Sequence, residues 1–466
     1  MRALAVSAVA VCGIALATAG ANAQNQNAQP ASPLPPLPLV QLQGQSAPPQ
    51  VVTLQDALER ARANDAQFQA SVADAASAHE DKTQARASLL PALSGTTQYL
   101  GNSSTPNNVN PNGRFVSLDG VNMYRVWGVL HQDISPNVLM LTPYRRAQAE
   151  EAVAAAKLEI AQRGLAVTIT KSYYGLVIAE RKYATAQQAA QQARRFFEIT
   201  GQQQRAGQVA QSDVVKAELQ YQQQQQDFQE AALAMENARL VLAVLLFPDV
   251  NENFTVVDDL NSSSALPAFS EVRTMAERGN PDLRAADQAL RAAHEDVVSA
   301  RNAFLPNIAV EAVYGIEANE LALHSRIAAA PQLGVLPNLG YFVTVNLSVP
   351  VWDWGGLKSK LTQTHIRERQ AQVELSQAQR QSVSNLYSMF NEATAARAAA
   401  DTLSHVADLA AESLRLTNLR YQAGESTALE VVDAQQTLVQ ARNAHDDAQA
   451  RYRVAVATLQ TLTGSF

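Results

Sequence analysis

The chain has 466 residues and a formal net charge of -7; only 17% of residues are charged and 47% are hydrophobic. That balance offers no basic patch of the kind nucleic acid requires, so a nucleic-acid partner is excluded. Alanine, glutamine and arginine crowd the long central stretches, which favours extended coiled-coil helices over a compact globule.

At the N-terminus, Arg2 precedes an apolar run over 3–17, and Ala21-Asn22-Ala23 precedes Gln24. This is the pattern of a secretory signal peptide over 1–23 with a small-residue cleavage site. The single cysteine, Cys12, lies in that run behind Val11, where a lipoprotein would carry a small residue. The mature chain therefore has no thiol for a disulfide, a metal or a nucleophile. Residues 24–52, rich in Pro, Gln and Asn, read as a flexible segment with no core to bury. No later stretch approaches the roughly 18 apolar residues of a spanning helix, so an exported chain of this kind is soluble or inserted by β-strands.

From residue 53 onward the chain reads as two copies of one unit, over 53–250 and 269–466, joined by a linker at 251–268. Ala78-His79-Glu80-Asp81 recurs as Ala293-His294-Glu295-Asp296, and Leu90-Pro91 recurs as Leu305-Pro306, each 215 residues later. Landmarks repeated in the same order point to duplication. Each copy begins with a helix of about 36 residues, over 53–89 and 270–304, which Pro91 and Pro306 stop by forcing their predecessors out of helical geometry.

Two strands follow in each copy. In the second, Ile308, Val310, Ala312, Tyr314 and Ile316 alternate with other residues, as do Tyr341, Val343, Val345, Leu347 and Val349. Their length suits a tilted strand crossing a bilayer, and Tyr341, Trp352 and Trp354 fall near the ends, where interfacial aromatics belong. An ordinary half-buried sheet fits the alternation equally well. The first-copy strands, 92–101 and 121–131, alternate less cleanly.

Long helices are expected over 144–203 and 357–421, each spanning roughly 90–100 Å, with returning helices over 211–247 and 427–462 of roughly 55 Å. Two short helices end to end match one long one, which suits a cylinder wall. The turn between the last two helices contains Gly424, able to take the left-handed conformation that closes a helix, followed by Ser426 or Thr427 as N-cap. Beyond it, Val431, Leu438, His445, Tyr452 and Leu459 run parallel to Ala434, Ala441, Ala448, Ala455 and Leu462 as an a/d seam. Glu430 and Asp433 lie beside that seam on a shared strip. Gly207, followed by Ser212 and Asp213, marks the related turn in the first copy.

Four strands cannot close a barrel, and an open edge in lipid leaves backbone groups unsatisfied, so closure requires several chains. Two chains give eight strands and three give twelve. A periplasmic coiled coil without a channel is the alternative, which the paired strands do not suit. Catalysis is not indicated: the histidines form no H-E-x-x-H arrangement, and neither a G-x-S-x-G motif nor a P-loop is present. No cofactor or metal is expected.

At these residues the chain resembles the outer-membrane efflux proteins typified by TolC, the outer membrane factor family. The resemblance rests on Tyr421-Gln422-Ala423-Gly424, on Leu429-Glu430-Val431-Val432-Asp433-Ala434, on both Leu-Pro landmarks, and on the strand-to-helix run Pro350-Val351-Trp352-Asp353-Trp354-Gly355-Gly356. It covers residue 53 to the C-terminus. It implies a mainly α chain forming a homotrimer: a twelve-stranded barrel in outer-membrane lipid continuing into a long periplasmic α-helical barrel. It further implies a periplasmic adaptor (membrane fusion) protein and an inner-membrane pump of RND, ABC or MFS type. The hairpins at Gly207 and Gly424 would form the closed tip, with Asp213, Glu430 and Asp433 facing the pore and Ser212 beside the first. A basic residue that locks the tip in some relatives falls at Ser426.

Overall fold

The computed structural model describes residues 49–101, 122–261, 265–318, 320–324 and 338–464. The expected signal peptide, Cys12, the Pro-rich segment up to residue 48 and most of each inter-strand loop lie outside these residues. The duplication is visible element by element. In the first copy, α1 (Leu54–Asn64) and α2 (Ala66–Ala87) lead into β2 (Ala92–Gly101) and β3 (Asn122–Ile134), a short α3 (Pro136–Leu139), the long α4 (Thr142–Arg205) and α5 (Gln211–Leu246). In the second, α6 (Phe269–Gly279) and α7 (Pro281–Asn302) lead into β5 (Asn307–Ala318), β6 (Leu339–Ser348), the long α8 (Gly356–Gln422) and α9 (Ala428–Thr463). Two short strands, β1 (Gln50–Val52) and β4 (Phe254–Val256), complete the set.

Each opening helix, expected as one rod, is broken in two. Asp65 and Asn280 take extended backbone at the break and cap the following helix with their side chains: Asp65 accepts from the Phe68 N–H at 2.6 Å, and Asn280 from the Asp282 N–H at 2.9 Å. A side-chain cap replaces the missing intrahelical acceptor, so the break costs little. Pro281 supports the second break from position N1. The stretches read as a flexible segment and a linker each supply a strand. β1 and β4 pair in parallel, and the hydroxyl of buried Tyr173 donates to Val257 O at 2.8 Å and accepts from the Val257 N–H at 3.0 Å. These strands, α1 and the mid-section of α4 enclose a core of Val52, Ile169, Tyr173, Leu176, Leu242 and Leu246.

The long helices organise the wall. Along one flank of α4 lie α2 and then α5; along the other lie α7 and then α9, and α7 and α9 in turn pack on α8. Polar ties mark the sequence: His79 and Lys82 of α2 to Glu151 of α4 at 2.7 Å each, Arg146 of α4 to Asp296 of α7 at 2.7 Å, His294 of α7 to Glu368 of α8 at 2.8 Å, and Arg451 of α9 to Glu392 of α8 at 2.6 Å. The duplicated histidines thus tie each short helix to its long partner. At 1.5 Å per residue, α4 and α8, with 64 and 67 residues, reach about 95–100 Å. The expected seam of α9 is the one observed: nine of its ten positions are buried, and His445 is half-buried. Among the described residues no helix is long and apolar enough to cross a membrane.

β2, β3, β5 and β6 form a four-stranded antiparallel sheet in that order. Both α2 and α7 finish in a tight turn before Pro91 and Pro306, with Leu90 N–H donating to Ala87 O and Leu305 N–H to Asn302 O at 3.0 Å each. The chain therefore enters β2 and β5 from the same end of the sheet, and helices leave β3 and β6 at that end.

Candidate functional site

Two regions carry features beyond packing: the sheet and the hairpin tips. Strand register sorts the sheet's residues onto two faces. One holds Leu93 and Tyr99 of β2, Tyr124, Val126, Leu130 and Ile134 of β3, Ile308, Val310, Tyr314 and Ile316 of β5, and Tyr341, Val343, Val345 and Leu347 of β6. It bears no charged side chain, yet Leu93, Tyr99, Tyr314, Tyr341, Val345 and Leu347 are each at least 60% exposed. An exposed apolar patch of this extent marks a surface meant for lipid or protein. Ten residues of β2 rise about 33 Å along the strand, or about 25 Å at the usual barrel tilt, the height of a bilayer-spanning apolar band.

Aromatic residues lie at both ends of the sheet. Tyr99, Tyr124, Tyr314 and Tyr341 lie toward the end remote from the helices, with the Tyr99 and Tyr124 rings 5.1 Å apart. Trp352 and Trp354 lie at the helical end, 75% and 90% exposed, edge to face at 5.6 Å. Trp354 is held there with φ of 56° and Gly355 with φ of 89°. The Asp353 carboxylate accepts from the Gly355 N–H at 3.0 Å and from the Leu357 N–H, capping α8. The Pro350–Gly356 signature is thus a capped corner that displays two indoles, and Gly356 closes it by donating to Asp353 O at 3.1 Å.

The opposite face carries the charged side chains of the four strands, interspersed with Met123, Val129, Val313 and Phe342. It holds Ser94, Thr96, Gln98, Arg125, Trp127, His131, Asp133, Glu311, Glu317, Thr344 and Asn346. Arg125 donates to Glu317 at 2.9 Å and to Gln98 at 3.2 Å. Gly315 faces Trp127 in the register, and any Cβ there would fall 2.0 Å from Val126 O, so only glycine lets β3 and β5 approach. Period-two alternation through 122–134 carries this signal, but Gly128 and Gln132 blur it on the apolar face.

At the tips, Gly207 and Gly424 take φ of 74° and 77°, as the turn reading requires. The next N–H closes each helix: Gln208 donates to Gln203 O and Glu425 to Arg420 O, both at 2.9 Å, the Schellman arrangement. Thr427, rather than Ser426, is the N-cap of α9, and its capping box engages Glu430. Ser426 Oγ donates to Glu430 at 2.8 Å, and the Arg420 guanidinium lies 3.7 Å from the same carboxylate. The Ser426 hydroxyl, then the Thr427 N–H, hold the Glu430 carboxyl below the usual carboxylate range.

The two hairpins meet through Tyr421. Its hydroxyl donates to Gln203 Oε1 at 3.0 Å and lies 3.4 Å from Thr200 Oγ1, while its ring packs 5.2 Å from Phe196. Beneath it a small core forms from Phe196, Ala217, Ala428 and Val431. A cleft of about 610 Å³ between the hairpins is lined by Asp213, Lys216, Gln203, Ser426 and Thr427 among others. Of the residues singled out in the sequence, Asp213 thus shares a cleft with Ser426, Glu430 is engaged within its own hairpin, and Asp433 and Ser212 are exposed. The Tyr421–Gln203 link was not legible, because it depends on how the two hairpins pack, and the Arg420–Glu430 pair was not, because it depends on how the second hairpin turns.

The family model "Outer membrane efflux protein" matches residues 272–465. The alkaline protease secretion protein AprF of Pseudomonas aeruginosa is 24% identical over 88% of this chain and 84% of its own length. The outer membrane protein TolC of Escherichia coli is 23% identical over 91% and 85%. Among solved structures, the Campylobacter jejuni CmeC outer membrane channel superposes with a TM-score of 0.74 at 17% identity, covering 88% of this chain and 85% of that one. The Neisseria gonorrhoeae MtrE outer membrane channel does so with 0.71 at 23%, covering 88% and 89%. The fold is therefore that of these channels.

Proposed function

Because the chain is a TolC-like outer membrane efflux protein, we propose that it is the passive exit duct of a tripartite efflux or type I secretion system, assembled as a homotrimer. The observation that carries this reading is the sheet: a charge-free, exposed apolar face backed by one that bears the charges, with the outer edges of β2 and β6 unpaired among the described residues. An open edge in hydrocarbon leaves N–H and C=O groups without partners, so copies must join edge to edge. Eight strands enclose a space that side chains fill, whereas more strands leave a bore, which favours three copies over two. The helices support the same count of faces: α8 has a free flank bearing Ile366, Val373, Leu409 and Leu419, and α5 has one bearing Leu219, Leu233 and Val244, each at least 51% exposed. These flanks lie at opposite ends of the helical row and complement each other around a ring.

The duct lies in the outer membrane of a Gram-negative cell with a large periplasmic portion. Substrate enters from an inner-membrane pump of RND, ABC or MFS type through a periplasmic adaptor, and energy comes from the pump. Relatives are named for protease secretion and for cation efflux, so the cargo class is not common to them. The hairpins at Gly207 and Gly424 form the tip that the adaptor meets. There Asp213 and Asp433 face the axis, whereas Glu430 serves the α9 cap, and opening separates packed hairpins rather than bending them. Purified mature protein in mild detergent should run as a heat-resistant trimer and open ion-conducting pores in a planar bilayer. A monomer that conducts nothing would remove the reading.

A further inference from the structure

The duplication calls for one helix contact twice, and a single chain makes it once. On the flank of α4 that holds α7, Arg145 and Ala149 share a groove with Leu290 and Arg291 of α7. Further along α4, buried Arg163 donates to Thr461 O in the last turn of α9 and to Glu159. Arg284 of α7 donates to the same Glu159. One guanidinium thus fixes the junction of two stacked helices to the long one. Ala161-Gln162-Arg163 recurs as Ala378-Gln379-Arg380, 217 residues later. The same interval separates Gly207 from Gly424, and Glu151 from Glu368, the carboxylates that take the duplicated histidines.

On α8 the corresponding flank is bare. Ala149 and Ala156, buried on α4, correspond to Ile366 and Val373, which are 63% and 58% exposed. Arg380 is exposed and, among the described residues, donates only to Ser376 O of its own helix, at 3.3 Å. The counterpart of Thr461 is Val244, in the last turn of α5. Its side chain is 63% exposed, and Pro248, four residues on, has no N–H to offer the Val244 carbonyl. Among the described residues nothing else donates to that oxygen. Where α9 closes on Gly464, α5 closes on Phe247, whose ring turns into the core 5.3 Å from Phe254. Within one chain α5 lies on the flank of α4 remote from α8, so the two ends of this contact belong to different copies.

We propose that Arg380 of one copy clamps the end of α5 in the next, its guanidinium donating to Val244 O as Arg163 donates to Thr461 O. The inference rests on the homotrimer reading and names the contact that joins its copies. Against α8, the next copy's α2 and α5 take the places that α7 and α9 take against α4. A cation at a helix C-terminus is favoured by the helix dipole, and the bond satisfies a carbonyl that the seam would otherwise bury unpaired. The charges on the two flanks agree. Asp81 of α2 is the counterpart of Asp296, which Arg146 holds at 2.7 Å, yet among the described residues Asp81 has no cation within 4 Å. Arg367 and Arg369 of α8 equally have no acid there.

The test places a photoreactive benzoylphenylalanine at position 380 of the full mature protein and irradiates it in mild detergent. Denaturing electrophoresis should show covalent dimers and trimers, and mass spectrometry should place the new bond within 241–247. Bonds confined to one chain, or made to another region of the neighbour, would overturn the clamp and leave the trimer standing. Arg380→Met keeps the apolar stem and removes the donors. Its trimer band on unboiled gels should disappear at a lower temperature than that of wild type, with the helical circular-dichroism signal unchanged before heating. Equal heat resistance would also overturn the clamp. A wild type that runs as a monomer removes the homotrimer reading itself, and the clamp with it.

Discussion

At the second tip, one carboxylate serves several donors. Glu430 accepts from Ser426 and from the Thr427 backbone, and Arg420 lies nearby, so its carboxyl titrates below its ordinary value of 4.5, chiefly through the Ser426 hydroxyl. A depressed carboxylate supports the folded state above that ordinary value and loses its contribution as pH falls through the lowered one. The protection factors of the 428–433 amides, taken against the intrinsic exchange rate at each pH, should therefore be highest at neutral pH and fall once pH drops below the ordinary carboxylate value. Glu430→Gln should abolish that pH dependence while leaving exchange elsewhere in α9 unchanged. An identical pH response in the variant would show that another group frays the helix. Glu430 was legible as a residue of this turn, expected to face the pore; spacing alone does not reveal that Ser426 and Thr427 converge on its carboxylate. Gly207 and Gly424 were legible, since only a left-handed residue closes a helix so abruptly.

Between helices and strands, periodicity located nearly every long element and missed every short one. The seam of α9 repeats every seven residues for five turns of the repeat, and nothing in 211–246 or 356–422 interrupts helical spacing, so these rods were readable. Asp65 and Asn280 break their helices without disturbing the apolar pattern on either side. Asn280-Pro281 was nonetheless a readable signal, an N-cap followed by proline at N1. β1 and β4 are three residues each and some 200 positions apart, and such a parallel pair leaves no local trace. Asn280 also supports the break from beneath: it is 2% exposed, and its amide donates to Ser382 Oγ on α8 at 2.7 Å. Asn280→Ala removes the cap of α7 and this buried bond together, a loss of roughly 2–3 kcal/mol. The midpoint of urea unfolding should fall accordingly, whereas Asn280→Asp, which keeps the cap oxygen, should recover part of the difference.

For the whole assembly, the decisive quantity is which face of the sheet meets lipid. Val343 and Asn346 lie three residues apart on β6 and on opposite faces, in the middle and near the helical end of a strand of ten residues. Both are exposed in the single chain, so monomer burial does not tell them apart. Only membrane insertion does. An arginine on the lipid face near mid-bilayer costs about 2–4 kcal/mol per copy, and threefold symmetry applies that cost three times to one assembled particle. Val343→Arg should therefore deplete the protein from the outer-membrane fraction and abolish the heat-resistant oligomer. Asn346→Arg, pointing into water within the bore, should insert and assemble like wild type. Fractionation followed by unboiled electrophoresis reads both outcomes. Equal tolerance of the two substitutions would mean that neither face is in contact with hydrocarbon, and the reverse pattern would mean that the sheet is turned inside out.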